Sequence, residues 1–207
     1  NLDGHHLQNE LFRAQTETSL PLKKNLWQQT VKAKIQNQAL LLEKLNKTSG
    51  SVKAYAKQVK SGDSSNREAA ASRVYWKQLF GNSFKRERYG SWPNAALNYG
   101  YAILRASVAR SLSGSGLLAT LGIHHKNRNN PYCLADDIME PYRPYVDELA
   151  FHLYEAYPDM KELPVEFKAE ILQLLTRDVV FEKIKRPLMV GLMQTTSSLA
   201  ACFKGEK

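Results

Sequence analysis

Apolar residues recur three and four apart along most of the chain, and almost no stretch alternates in the way a half-buried strand requires. The pattern therefore predicts an all-α fold, a multi-helix bundle. Residues 21 to 46 open with Pro21 and bring Trp27, Val31, Ile35, Leu42 and Leu45 near one face, with Lys23, Lys24, Lys32, Lys34 and Lys44 spread around the others. This reads as one long basic amphipathic helix. A short helical piece around Val52 to Val59 gives way to the turn-rich SGDSSN, after which REAAASRVYWKQLF forms an Ala-rich helix ended by Gly81. The basic loop GNSFKRERYGSWPN leads into an apolar helix from Ala95 to about Leu112, and SGSG breaks the chain behind it. LLATLGIHHKNRNNPY then runs into LADDIMEPYRPYVDELAFHLYEAY, which Pro141 and Pro144 should kink or interrupt. The last two helices are expected at about 164 to 186 and 188 to 203, split at Pro187.

Composition narrows the class. With 207 residues, 43% of them hydrophobic and 24% charged, the chain can bury a core as one domain and is no disordered tail. It holds no run of about 18 apolar residues, so no membrane span is expected. The start, NLDGHHLQNE, is polar and lacks an apolar leader, and its first residue is Asn rather than Met, as in a piece of a longer protein. Two cysteines, Cys133 and Cys202, are too few for a disulfide framework or a structural zinc site, which points to a reducing, cytoplasmic setting.

Charge is unevenly distributed. Residues 1 to 130 carry 20 Lys and Arg against 7 Asp and Glu, whereas residues 131 to 207 carry 9 against 13. The first part can face a polyanion, and nucleic acid is the commonest such partner because release of condensed counterions drives binding without any reading of sequence. A solvated basic face is the plain alternative.

Three clusters carry candidate chemistry. Glu68 is a carboxylate in an acid-poor region, beside Arg67 and Arg73; Ser65 lies three residues before it, in the spacing of a capping box. In GIHHKNRNN, adjacent histidines cannot both serve one site, so at most one acts while the other packs or hydrogen-bonds nearby, and a structural or solvent-facing loop histidine is the plain alternative. In LADDIMEPYRP, Asp137 and Glu140 fall on one side of a helical turn, Asp136 and Glu140 form the competing pair, and Arg143 is placed to bridge Glu140. Together the clusters offer two carboxylates and one imidazole, a donor set for Mg²⁺ or Mn²⁺ that leaves room for water and phosphate oxygens. Arg67, Lys126, Arg128 and Arg143 would then hold DNA phosphates, against local salt bridges as the alternative.

In combination, LPLKKNLWQQTVKAKI, NREAAASRVYW, LNYGYAILRA, GIHHKNRNN and LADDIMEPYRP resemble the catalytic domain of the CRISPR-associated endonuclease/integrase of spacer acquisition, most closely its members from type II systems. The resemblance implies metal ligation by Glu68, His125 and Glu140, with Asp137 as an auxiliary acid; other branches carry aspartate at the position of Glu140. It implies a prokaryotic DNA integrase that joins prespacer 3′-hydroxyl ends to repeat DNA by transesterification, with metal-dependent cleavage as an accessory activity and no nucleotide cofactor. It also implies a homodimer working with a second, small CRISPR-associated protein. A β-rich domain precedes the helical one in the family, so residues 1 to 207 are expected to be the single catalytic domain, with 1 to 20 the remnant of a linker. The competing expectation is a non-catalytic helical DNA-binding or assembly module, whose carboxylates serve only caps and salt bridges.

Overall fold

The computed structural model describes residues 8–160, 162–181 and 184–206. Its elements are helices α1 (Gln8–Glu17), α2 (Leu20–Lys44), α3 (Gly50–Gln58), α4 (Arg67–Phe80), α5 (Asn94–Gly114), α6 (Cys133–Met139), α7 (Arg143–Ala156), α8 (Val165–Leu172) and α9 (Leu188–Lys204), with one ribbon, β1 (Asp178–Phe181) and β2 (Ile184–Pro187). The all-α expectation holds. Of residues 1 to 20, the first seven lie outside the described residues. Gln8–Glu17 form a helix whose Leu11 is buried and whose Gln15 amide donates to the carbonyls of Leu118 and Leu121.

The centre of the domain is α2. Ser19 caps its start and Pro21 sits in its first turn. Trp27, Val31, Ile35 and Leu42 are at most 2% exposed and pack toward α3, α4 and α7. The expected amphipathic pattern needs one correction: Lys34 does not lie on a solvated face. It and Gln38 are buried on the same stripe as the apolar residues.

α5 forms the second spine, packing against α6, α7, α8 and α9. It approaches α7 so closely at Gly100 that a β-carbon there would sit 2.4 Å from a Val146 methyl. Pro141 and Pro144 interrupt the chain as expected: α6 ends at Met139, Glu140–Tyr142 form a 3₁₀ turn, and α7 starts at Arg143.

The expected helix from 164 to 186 is overturned. Among its described residues only Val165–Leu172 are α-helical, a 3₁₀ turn follows, and the chain then folds into the antiparallel ribbon, with Asp178 opposite Pro187 and Val179 opposite Arg186. The β-branched pair in DVVF explains the change: with alternate residues on opposite faces, Val179 goes into the core at 4% exposure while Val180 points out at 62%. Pro187 is the last ribbon residue and α9 begins immediately behind it.

Candidate metal and nucleic-acid site

Glu68 enters from the first turn of α4. Its expected capping box is absent. The carboxylate of Asp63 accepts instead from the main-chain N–H groups of Arg67 (2.8 Å) and Glu68 (3.0 Å). Asp63 and Asn66 both take left-handed backbone, with φ of 49° and 50°, which folds SGDSSN under the helix start. Since Asp63 supplies the cap, the Glu68 side chain is free to turn inward. It meets Lys34 there: Nζ lies 2.5 Å from Glu68 Oε1 and 2.5 Å from Glu140 Oε2.

Glu140 starts the turn between α6 and α7 and is 4% exposed. Its Oε1 accepts from Arg143 Nε at 2.8 Å. Its Oε2 is buried against the Lys34 ammonium, which compensates its charge. Burial pushes the Glu140 carboxyl up, but Arg143 and Lys34 outweigh it and hold the group below the usual glutamate range. Burial likewise pulls the Lys34 ammonium down, and Glu140 and Glu68 reverse the shift, leaving it above the lysine norm.

The GIHH loop is organised by Asp137, which is fully buried. Its Oδ2 accepts from the N–H groups of Ile123 (2.7 Å) and His124 (3.0 Å), and its Oδ1 from the His125 N–H (3.2 Å). Only glycine fits ahead of this clamp: a β-carbon at Gly122 would meet the His125 carbonyl at 2.3 Å and Asp137 Oδ2 at 2.8 Å. Asp137 Oδ1 also lies 2.5 Å from His125 Nδ1, leaving Nε2 as the nitrogen available to a ligand. The Asp137 hydrogen bond raises the His125 pKa against partial burial, and Glu140 adds to the rise through its charge. Of the two histidines, His124 packs: it stacks flat on Trp27, with centroids 4.1 Å apart and planes at 1°. Asp136 turns elsewhere, accepting from Asn130 Nδ2 at 2.6 Å.

As a donor set, Glu68, Glu140 and His125 suit a hard divalent cation, and the carboxylate on the far nitrogen of His125 is a common support for a metal-ligating imidazole. The two glutamates already share one cation, Lys34. Among the described residues no three His, Cys, Asp or Glu side chains are gathered tightly enough to enclose an ion. Lys34 sits between two of the three expected ligands. Sequence reasoning missed it. The available signal was its place seven residues after Trp27, on the buried stripe of a 3.6-residue helix.

Behind Lys34 lies a second network that the sequence reading did not find. Asp147, 1% exposed, accepts from the hydroxyls of Tyr75 (2.7 Å) and Tyr101. The Tyr101 ring carries the guanidinium carbons of Arg143 at 4.4 Å and Arg86 at 5.3 Å from its centroid. Arg86 is held further by Asn94 and Asn98, which also bond the loop backbone at Lys85, Glu87 and Arg88. The basic loop is thus pinned to the start of α5.

These arginines open onto a cleft of about 790 Å³, lined among others by Arg86, Arg88, Tyr89, Arg105, Tyr132 and Arg143. Tyr89 is 90% exposed. Lys126 and Arg128 line a separate cavity of about 600 Å³ together with His125. Arg67 lines neither; its Nε bonds Ser65 Oγ at 3.3 Å and its guanidinium lies over Tyr55. Arg143 makes the local salt bridge to Glu140 while also facing the large cleft. Cys133 and Cys202 are both free thiols. Among the described residues no helix is long and apolar enough to cross a membrane.

Fold and cluster together define a helical domain in which two glutamates share a buried lysine and Arg143 links one of them to an arginine-lined cleft. A family model described as CRISPR associated protein Cas1 matches residues 3–158, and the chain belongs to that family, as its motifs led us to expect. The chain is 38% identical over 199 residues to the CRISPR-associated endonuclease Cas1 of Neisseria meningitidis serogroup C (strain 8013), an alignment covering 95% of this chain and 65% of that protein. Two solved structures share the fold at low sequence identity. A casposase bound to integration product matches with a TM-score of 0.79 at 18% identity, covering 97% of this chain and 70% of that one. A Cas6-RT-Cas1–Cas2 complex matches with a TM-score of 0.77 at 20% identity, covering all of this chain and 27% of that one.

Proposed function

We propose that this domain cuts and rejoins DNA phosphodiesters in CRISPR spacer acquisition, with Glu68, Glu140 and His125 holding Mg²⁺ or Mn²⁺. The observation that carries this reading is the meeting of Glu68 and Glu140, 72 positions apart in sequence, on a single cation. When bound, the ion would supply a Lewis acid that polarises the phosphodiester and favours the ionised form of a water or a 3′-hydroxyl. The chain's own contribution is positioning. Asp137 holds His125 in one ring orientation. Arg143 neutralises Glu140 on one side and faces the cleft on the other, where a phosphate oxygen would be met by a fixed guanidinium. Arg86, Arg88 and Arg105 are suited to DNA phosphates, and Tyr89 and Tyr132 to stacking on unpaired bases near a strand end.

Exchanging one phosphodiester for another conserves the bond, so no nucleotide cofactor is needed. The resemblance to Cas1 proteins, one of them solved with Cas2, supports a homodimer acting with a second, small CRISPR-associated protein in a prokaryotic cytoplasm.

A second reading rests on Lys34. Its neutralisation of both glutamates would suit a structural ion cluster in a DNA-binding module without catalysis. Incubating branched and linear DNA with the protein in Mn²⁺ or in chelator separates the two. We expect cleavage or strand transfer that requires Mn²⁺ and is abolished by Glu68→Gln, Glu140→Gln or His125→Ala with helical circular dichroism retained. Salt-sensitive binding indifferent to chelator, with no product, would establish the second reading instead.

A further inference from the structure

Lys34 is the charged side chain that the metal reading leaves unexplained. An ammonium with 10% of its side-chain surface exposed is costly in a core unless it is well paired, and this one is paired with two of the three candidate ligands. It also borders a second place to go. Lys34 lines a cavity of about 200 Å³ with Gln38, Arg86, Tyr101, Glu140 and Asp147, among others. Gln38 follows it by four residues on α2, on the same face, and is 2% exposed. Its Oε1 is buried with no hydrogen-bond partner, an arrangement that native interiors rarely tolerate.

We propose that Lys34 is the resident cation of the site: it holds Glu68 and Glu140 together before a divalent ion arrives and yields its place when the ion binds, its ammonium moving to the vacant acceptor of Gln38. Lys34 is therefore a positioning residue that sets metal affinity, and Gln38 is its second seat. The inference rests on the assignment of Glu68 and Glu140 as ligands. No bond is made or broken. Two carboxylates exchange a monovalent partner for a divalent one, and an orphaned amide oxygen gains a donor.

The test is Mn²⁺ binding by isothermal titration calorimetry on the full chain, with thermal melts in chelator and in Mn²⁺. Lys34→Met should lower the melting temperature in chelator, tighten Mn²⁺ binding by about tenfold or more, and gain more than wild type from added Mn²⁺. Lys34→Gln, polar and uncharged, should tighten binding in the same direction and serves if the methionine variant does not fold. Lys34→Arg, which keeps the charge, should not tighten it. Gln38→Leu should weaken Mn²⁺ binding by several fold, because the displaced ammonium then has no acceptor. A structural role alone would make every Lys34 variant bind Mn²⁺ more weakly. That result, or no change, would overturn the proposal while leaving the site intact, provided Glu68→Gln and Glu140→Gln still lose binding. Wild-type Mn²⁺ affinity in both Gln variants would instead overturn the ligand assignment, and this proposal with it.

Discussion

Two aspartates are equally hidden from solvent and are held in opposite ways. Asp137, beneath the loop before α6, is met by three consecutive main-chain N–H groups and the imidazole of His125. Asp147, between α4, α5 and α7, is met by two phenol hydroxyls. Main-chain donors fix the path of the chain, so Asp137 determines where His125 stands. Side-chain donors fix rings, so Asp147 determines where Tyr101 stands, and through it the guanidinium groups of Arg143 and Arg86. Burial pushes the Asp147 carboxyl up to about 6, against the opposing pull of Tyr101 and Tyr75. Depth alone therefore says little about a carboxylate; the donors that accompany it decide what it organises.

The contrast can be broken most forcefully at Asp137→Ala. Loss of the acid leaves a cluster of loop amides without an acceptor, and we expect about 3 to 5 kcal/mol of stability to be lost in urea unfolding. A loss below about 1 kcal/mol would show that the loop holds itself. Next in size, Gly122→Ala forces a β-carbon against the His125 carbonyl and Asp137 Oδ2, which should cost about 2 to 3 kcal/mol by the same measurement.

Asp147 gives a pH signature. Its carboxyl binds a proton more tightly when folded, at about 6, than when unfolded, so the folded state carries the excess proton between about pH 4 and pH 6. Stability from this group accordingly falls as pH rises through that window, and the full cost of the buried charge is present above it. Relative to Asp147→Asn, wild type should lose on the order of 3 kcal/mol at most between pH 4 and pH 7. A pH-independent difference between the two proteins would remove the distinction drawn here. The smallest effect is expected from Tyr75→Phe or Tyr101→Phe, about 1 kcal/mol each. Their double-mutant cycle should show coupling, since both hydroxyls serve one carboxylate.

Much of this was legible in the chain because it follows from local rules. The start of α2 is written in Pro21, the end of α4 in Gly81, and the interruption after α6 in Pro141 and Pro144. The ribbon was missed because DVVF and IKRP are too short for a two-residue period to stand out from helical spacing. Asp63 was missed as a cap because the nearer Ser65 fits the spacing of a capping box, and the left-handed turn that carries Asp63 beneath α4 has no periodic signature. Lys34, Tyr75, Tyr101 and Asp147 were missed for a deeper reason. Each is polar at a position where the apolar stripe continues on both sides, and a partner 34 to 106 residues away is what makes its burial tolerable.

The flat contact between His124 and Trp27 has a practical consequence. An imidazole lying on an indole alters its emission, and more strongly when the imidazole is protonated, so the domain carries an optical reporter of whether the GIHH loop is seated on α2. With Trp76 and Trp92 replaced by phenylalanine, the fluorescence of Trp27 would follow the arrival of an ion or a DNA end in a stopped-flow trace, without any attached dye.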